Sequence, residues 1–171
     1  MKSFSSRLTA IIAAAALIAL DQWTKILAVS ALGDGQIIPI IRNVLVLMYI
    51  ENRGAAFGIF QNGTVILSVI SAIAVAAFAV FYQKIPPETK YRPIRIILVF
   101  LTAGAAGNLI DRVMLHYVRD FIYFQLIDFP VFNVADIYVT CSVFVLVYLI
   151  LFYYKEEDLN FFSSKGGSSN G

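Results

Sequence analysis

Four stretches, Leu8 to Leu27, Thr64 to Tyr82, Ile94 to Leu115 and Ile137 to Tyr154, are apolar almost from end to end. Each approaches or reaches the roughly 20 residues that a helix needs to cross a hydrocarbon core of about 30 Å. Of the 171 residues 60% are hydrophobic and 14% charged, and a water-soluble fold could not hide that much apolar surface. The chain is expected to be an all-α membrane protein with four transmembrane helices. It should form a single membrane-embedded domain over residues 1–159, followed by a Gly/Ser-rich, disordered tail over 160–171.

The basic residues divide by side. If the N-terminus is cytoplasmic, that side receives Lys2, Arg7, Lys84, Lys90, Arg92, Arg95, Lys155 and Lys165. Lys25, Arg42, Arg53, Arg112 and Arg119 fall on the outer side, a split that follows the positive-inside tendency. Both termini are therefore expected in the cytoplasm. Lys2 and Arg7 before an alanine-rich run resemble a secretory leader, but apolar character resumes after Asp21, Gln22 and Lys25, so the first helix is read as retained. The net charge of +2 is dispersed, with no polybasic run against an aromatic platform, so no nucleic-acid partner is expected. Membrane lipids are expected partners, and the protein is expected to be a monomer. One cysteine, Cys141, and one histidine, His116, can build neither a disulfide nor a zinc site. Cys141 is read as a small buried residue and His116 as a helix-end or loop residue. No metal and no cofactor is expected.

Between the first two spans, a turn signal at Gly33 to Gly35 precedes a β-rich run from Val44 to Ile50, which predicts a small β element outside the membrane. His116 to Val134 mixes aromatic and β-branched residues with Asp120, Asp128 and Pro130, suiting an extended or hairpin path. Gln83 to Pro93 reads as an ordinary inner connector, and no internal repeat divides the chain.

Charge inside a membrane span is costly and marks function. At about 1.5 Å per residue, Asp21 lies roughly 20 Å up the first span, and Asn108 and Asp111 lie roughly 21 to 26 Å up the third. Asn52 and Gly54 precede the second span, Asp120 follows the third, and Asp136 opens the fourth, so all of these collect at one end. Asp21 and Lys25, four apart, are expected to form a structural ion pair contained within one helix. Gly104, Asn108 and Asp111 share a face that should pack on another helix. Asp111 with Arg112 is read as a local support pair or, alternatively, a binding contact. Asn133 with Asp136 has the spacing of a capping box, so Asp136 is either a capping acid or a reacting one. Asp120, an acid in an aromatic-rich outer segment beside Arg119, tips the reading toward two acids doing shared-proton chemistry.

Five blocks in order carry a family resemblance: DQWTK at Asp21 to Lys25, NRGAAFG at Asn52 to Gly58, AGAAGNLIDR at Ala103 to Arg112, VRDF at Val118 to Phe121 and FNVAD at Phe132 to Asp136. Together they resemble the lipoprotein signal peptidases, or signal peptidase II. The resemblance implies four helices with a small extracytoplasmic β-cradle, and an active site toward the outer leaflet of the bacterial inner membrane. It implies Asp120 and Asp136 as the catalytic pair. Asp21, Lys25, Asn52, Gly54, Asn108, Asp111, Arg112, Asn133 and Ala135 become supporting or substrate-contacting positions, with Gly104 beside them for helix contact. The implied substrate is a bacterial prolipoprotein cut just before its diacylglyceryl-modified cysteine. Three departures stand out: Tyr123 where a further acid is common, a short stretch between Asp120 and Asp136, and Ile137 where a small residue is common.

The implied chemistry is that of an aspartic peptidase. Two close carboxylates share one proton, so one activates water while the other polarises the scissile carbonyl. Two rival readings assign the polar residues differently. A serine/lysine peptidase would pair Lys25 with Ser68 or Ser71, and a transporter or assembly factor would spread polar residues through the membrane depth rather than gather them at one end.

Overall fold

The computed structural model describes residues 2–54 and 63–162. Among them, four helices are long and apolar enough to cross a membrane. They are α1 (Lys2–Leu32), α2 (Thr64–Lys84), α3 (Arg92–Leu115) and α4 (Val134–Tyr148), the last continued by a π-helical turn over Leu149–Tyr153. Helix α1 runs past both ends of its predicted span, and α4 begins three residues earlier than the apolar run suggests. The polar Asn133 caps α4, so its first turn can hold an acid.

Helix α3 is the centre of the bundle. Among the described residues it has the longest buried face, from Ile94 through Leu98, Ala103, Gly104, Gly107 and Asn108 to Asp111, whereas α2 buries no residue. Large apolar side chains on the other helices, such as Ile73 and Phe144, point outward where a bilayer would cover them. Cys141 is on this outward surface rather than buried, because the inner face of α4 is taken by Ala135, Tyr138 and Ser142. Ile137 is 39% exposed and so makes no demand on the helix contact. His116 ends α3 with φ 66°, a left-handed cap that agrees with the helix-end reading.

A three-stranded antiparallel sheet covers one end of the bundle in the order β1 (Ile37–Ile41), β2 (Leu45–Asn52), β3 (Val118–Phe124). The turn before it contains Gly35 at φ 81°, a conformation that glycine adopts at no steric cost. The expected β element and extended segment thus pair with each other. Strand β1 was not expected; its Pro39 disguised it, and as an edge strand it tolerates a proline. Under the sheet Ala28, Leu32 and Phe121 form a buried cluster. At the far end a second cluster joins Ile85, Ile97, Leu101, Leu149 and Tyr154. Beyond α4 a 3-10 helix spans Glu156–Phe162, and residues 163–171 of the expected tail lie outside the described residues.

Candidate active site

Strand pairing brings the first acid to its partners. In the β2–β3 ladder Ile50 faces Asp120 and Asn52 faces Val118, so Asn52 and Asp120 are diagonal neighbours on one face. Asn52 Nδ2 donates to Asp120 Oδ2 at 2.8 Å, while Asn52 Oδ1 accepts from the Gly54 backbone N–H at 3.0 Å. That second bond fixes which way the amide points. The rest of the NRGAAFG block, Ala55 to Gly58, lies outside the described residues.

The chain then returns along β3. Phe132 O accepts from the N–H groups of Phe121 and Ile122, and Phe132 N–H donates to Ile122 O. This short bridge places Asn133 beside Asp120 and at the N-cap of α4. Asn133 makes a complete capping box with Asp136: its Oδ1 accepts from the Asp136 N–H at 3.1 Å, and Asp136 Oδ2 accepts from its backbone N–H at 3.1 Å. Its Nδ2 donates to Asp120 Oδ1 at 2.6 Å and to Asn108 Oδ1 at 3.1 Å. Asn108 Nδ2 in turn donates to Asp136 Oδ1 at 2.8 Å. One buried asparagine therefore holds both carboxyls.

Asp120 is 2% exposed. Burial, followed by the nearby Asp136 charge, pushes its pKa up to about 7, against the opposing pull of hydrogen bonds from Asn52 and Asn133.

Beneath the two acids lies a dry charged cluster. Asp21, Lys25 and Asp111 are each 0% exposed. Lys25 Nζ sits 2.9 Å from Asp21 Oδ2, 3.5 Å from Asp111 Oδ2 and 2.9 Å from Asn108 Oδ1. The Asp21–Lys25 pair forms as expected but is not contained in one helix, because Asp21 Oδ1 also accepts from the Ala135 N–H of α4 at 3.0 Å. The expected Asp111–Arg112 pair does not form. Adjacent helical residues point apart, and Asp111 instead receives Arg119, at 2.7 Å from Nη2 and 3.1 Å from Nε, as well as its backbone N–H at 3.0 Å. These bonds hold the Arg119 guanidinium even more firmly protonated. Arg112 reaches toward Ser71 at 3.4 Å, and its charge acts on Asp136 and Asp120.

Gln22, to which the sequence assigns no role, and Gly107, in the small-residue stretch that the sequence offers for close helix contact, complete the cluster. Gln22 Nε2 donates to Gly107 O, Asp111 and Asp21 at 3.0, 3.1 and 3.2 Å, and its Oε1 accepts from Arg119 at 2.7 Å. A Cβ on Gly107 would stand 2.5 Å from Asp21 Oδ2, and one on Gly104 would stand 2.6 Å from Ala135 O. These glycines let α1 and α4 approach α3 closely. The signal was present in DQWTK and AGAAGNLIDR, but spacing within one helix could not reveal partners on another.

The serine/lysine arrangement is absent among the described residues. Ser68 donates to Thr64 O in its own helix at 2.7 Å, and Lys25 is fully engaged elsewhere.

A family model described as "Signal peptidase (SPase) II" matches residues 13–152 of the chain. The chain belongs to the signal peptidase II family. It is similar to the lipoprotein signal peptidase of Clostridioides difficile, 42% identical over 142 residues, covering 82% of this chain and 94% of the relative. With that of Caldanaerobacter subterraneus it is 42% identical over 144 residues, 84% and 96% of the two chains. A solved bacterial membrane enzyme shares the fold with TM-score 0.72 and 30% identity, over 85% of this chain and 94% of that one. Signal peptidase II is a peptidase, which removes the transporter reading, and the four apolar helices make this member a multi-pass membrane protein.

Proposed function

We propose that Asp120 and Asp136 are the proton-transfer pair with which this signal peptidase II hydrolyses the peptide bond preceding the diacylglyceryl-modified cysteine of a prolipoprotein. The carrying observation is Asn133, whose side-chain amide holds Asp120 and whose backbone N–H holds Asp136. Two carboxyls fastened to one residue cannot both ionise cheaply, so the pair retains one proton and titrates as a unit.

Asp136 is the candidate base. It lies in the first turn of α4, where the positive end of the helix and the two N–H donors favour its charge. Asp120, pushed up to about 7, is the partner that keeps the proton. Asp136 takes a proton from water as that water attacks the scissile carbonyl. Asp120 donates to the carbonyl oxygen; the C–N bond then breaks as Asp136 passes the proton taken from water to the leaving amine, and the re-forming carbonyl returns its proton to Asp120. Asn52, Gly54, Asn108 and Asn133 orient the carboxyls, and the Asp21, Lys25, Asp111 cluster with Ala135 keeps α1, α3 and α4 in register.

The site lies at the sheet-covered end of the bundle. Arginines and lysines at the opposite end support an orientation with both termini cytoplasmic and the site toward the outer leaflet of the inner membrane. There the substrate's acyl chains stay in the bilayer while the peptide meets the acids at the interface. The protein is proposed to act as a monomer.

The test is cleavage of lipidated and unlipidated precursor by the full chain in vesicles. Wild type should cut the lipidated form before its cysteine, and Asp120→Asn and Asp136→Asn should each remove cutting while the protein stays folded. Near-normal cleavage by Asp120→Asn would end the dyad assignment.

A further inference from the structure

At the end of the bundle away from Asp120, a groove of about 1240 Å³ opens between the starts of α1 and α3. Its lining changes character along its length. Ser6, Thr9, Arg92 and Arg95 occupy the helix-end portion, and Ala13, Leu17, Val99 and Phe100 continue it toward the membrane interior. Both helices run the same way, since Ser6 meets Arg95 and Asp21 meets Gly107. From Arg92 to Phe100 the groove therefore descends by about 12 Å at 1.5 Å per residue. The small side chains of α1 leave the space and α3 supplies its larger wall.

Arg95 decides what such a groove accepts. It is 9% exposed, donates from Nη2 to Ser6 Oγ at 2.9 Å and lies 4.4 Å from the Tyr82 ring centroid. Tyr82 is itself fastened to the Ser6 carbonyl at 3.2 Å, which fixes the guanidinium's position. Among the described residues Arg95 and Arg92 form no ion pair, and no carboxylate lines the groove. A buried guanidinium with only a hydroxyl and a ring beside it keeps unused donors in a fork that matches phosphate oxygens.

The geometry points to a binding site for an anionic phospholipid in the leaflet opposite the acid pair, with its phosphate at Arg92 and Arg95 and an acyl chain along Ala13, Leu17, Val99 and Phe100. The order of polar and apolar lining matches a lipid standing in its own leaflet. A basic or neutral apolar peptide would leave both arginines uncompensated. Bound lipid would seal α1 against α3 at the end where no Asp–Lys cluster joins them.

The experiment is native mass spectrometry of the full chain released from vesicles of equal phosphatidylglycerol and phosphatidylcholine. Wild type should retain phosphatidylglycerol over phosphatidylcholine by roughly tenfold or more, as expected for charge-assisted bonds. R92Q/R95Q should bring the two to parity, R95K should preserve part of the preference, and A13F, which fills the groove and keeps both charges, should lose retained lipid. Parity in wild type, undiminished preference in R92Q/R95Q, or full retention in A13F would each overturn the site. So would displacement of the lipid by millimolar glycerol phosphate, which would mean that the groove takes no chain. If R92Q/R95Q fails to fold, A13F alone decides.

Discussion

Lys25 Nζ donates to Asn108 Oδ1 at 2.9 Å, and the Nδ2 of the same amide donates to Asp136. The lysine charge thus sets the orientation of the amide that holds an acid of the proposed pair. The charged cluster and the acids are one hydrogen-bonded system, and its parts should fail together.

Removing Lys25 should expose this dependence. Lys25→Met leaves Asp21 without its cation in a dry setting, a change that costs about 3 to 5 kcal/mol when a buried pair is broken. Thermal unfolding in detergent should show a large loss for Lys25→Met, partly recovered in Asp21→Asn/Lys25→Met. A swap of the two residues should fail, because lysine at position 21 cannot accept the Ala135 N–H bond. A swapped protein with normal stability would contradict this.

The proposed dyad should behave as one unit. Asp120→Asn and Asp136→Asn should each lower kcat by roughly 10³-fold or more, and the double variant should be scarcely worse than either. Single-turnover cleavage of a lipidated precursor measures this. Losses that multiply would mean that the two acids act independently.

The raised Asp120 pKa gives a signed pH dependence. An acid whose folded value, about 7, exceeds its ordinary 3.8 binds its proton more tightly in the folded protein. Its contribution to stability is therefore complete below about pH 4 and is lost as pH rises through about 7. The Tm advantage of wild type over Asp120→Asn should shrink across that window and level off above it. Activity should also fall on the alkaline side near pH 7, as the shared proton leaves. A Tm difference independent of pH would show that Asp120 does not titrate there.

The two glycines of α3 should differ in their effects. Gly107→Ala clashes with the Asp21 carboxylate at 2.5 Å and only touches Ala135 Cβ, at 3.4 Å, whereas Gly104→Ala meets the Ala135 backbone oxygen at 2.6 Å and Val139 Cγ2 at 2.7 Å and must move the first turn of α4. Each should cost about 1 to 3 kcal/mol by overpacking. Gly104→Ala should lose more activity per unit of lost stability, since Asp136 rides on that turn. Unfolding and cleavage measured on the same preparations compare them.

The proposed orientation places Asp34 outside and Lys90 inside. Cysteine introduced at each position, in a Cys141→Ser background, should react with an impermeant maleimide from outside only at 34. Equal labelling at both positions would remove the orientation.

Much of this protein is written locally. The four spans follow from run lengths and the capping box at Asn133 from a three-residue spacing, while the turn at Gly33 to Gly35 follows from residue type. These depend on neighbours along the chain, so the sequence alone determined them, and the order of the five polar blocks determined the family. Tertiary structure decided the partnerships. Asp111 bonds Arg119 rather than its neighbour Arg112, and Asn52 reaches Asp120 through strand pairing. Gln22 joins residues from α1, α3 and β3. Such bonds form between residues up to 114 positions apart. Their geometry depends on how closely Gly104 and Gly107 let the helices approach, a distance that residue spacing within any one helix does not encode.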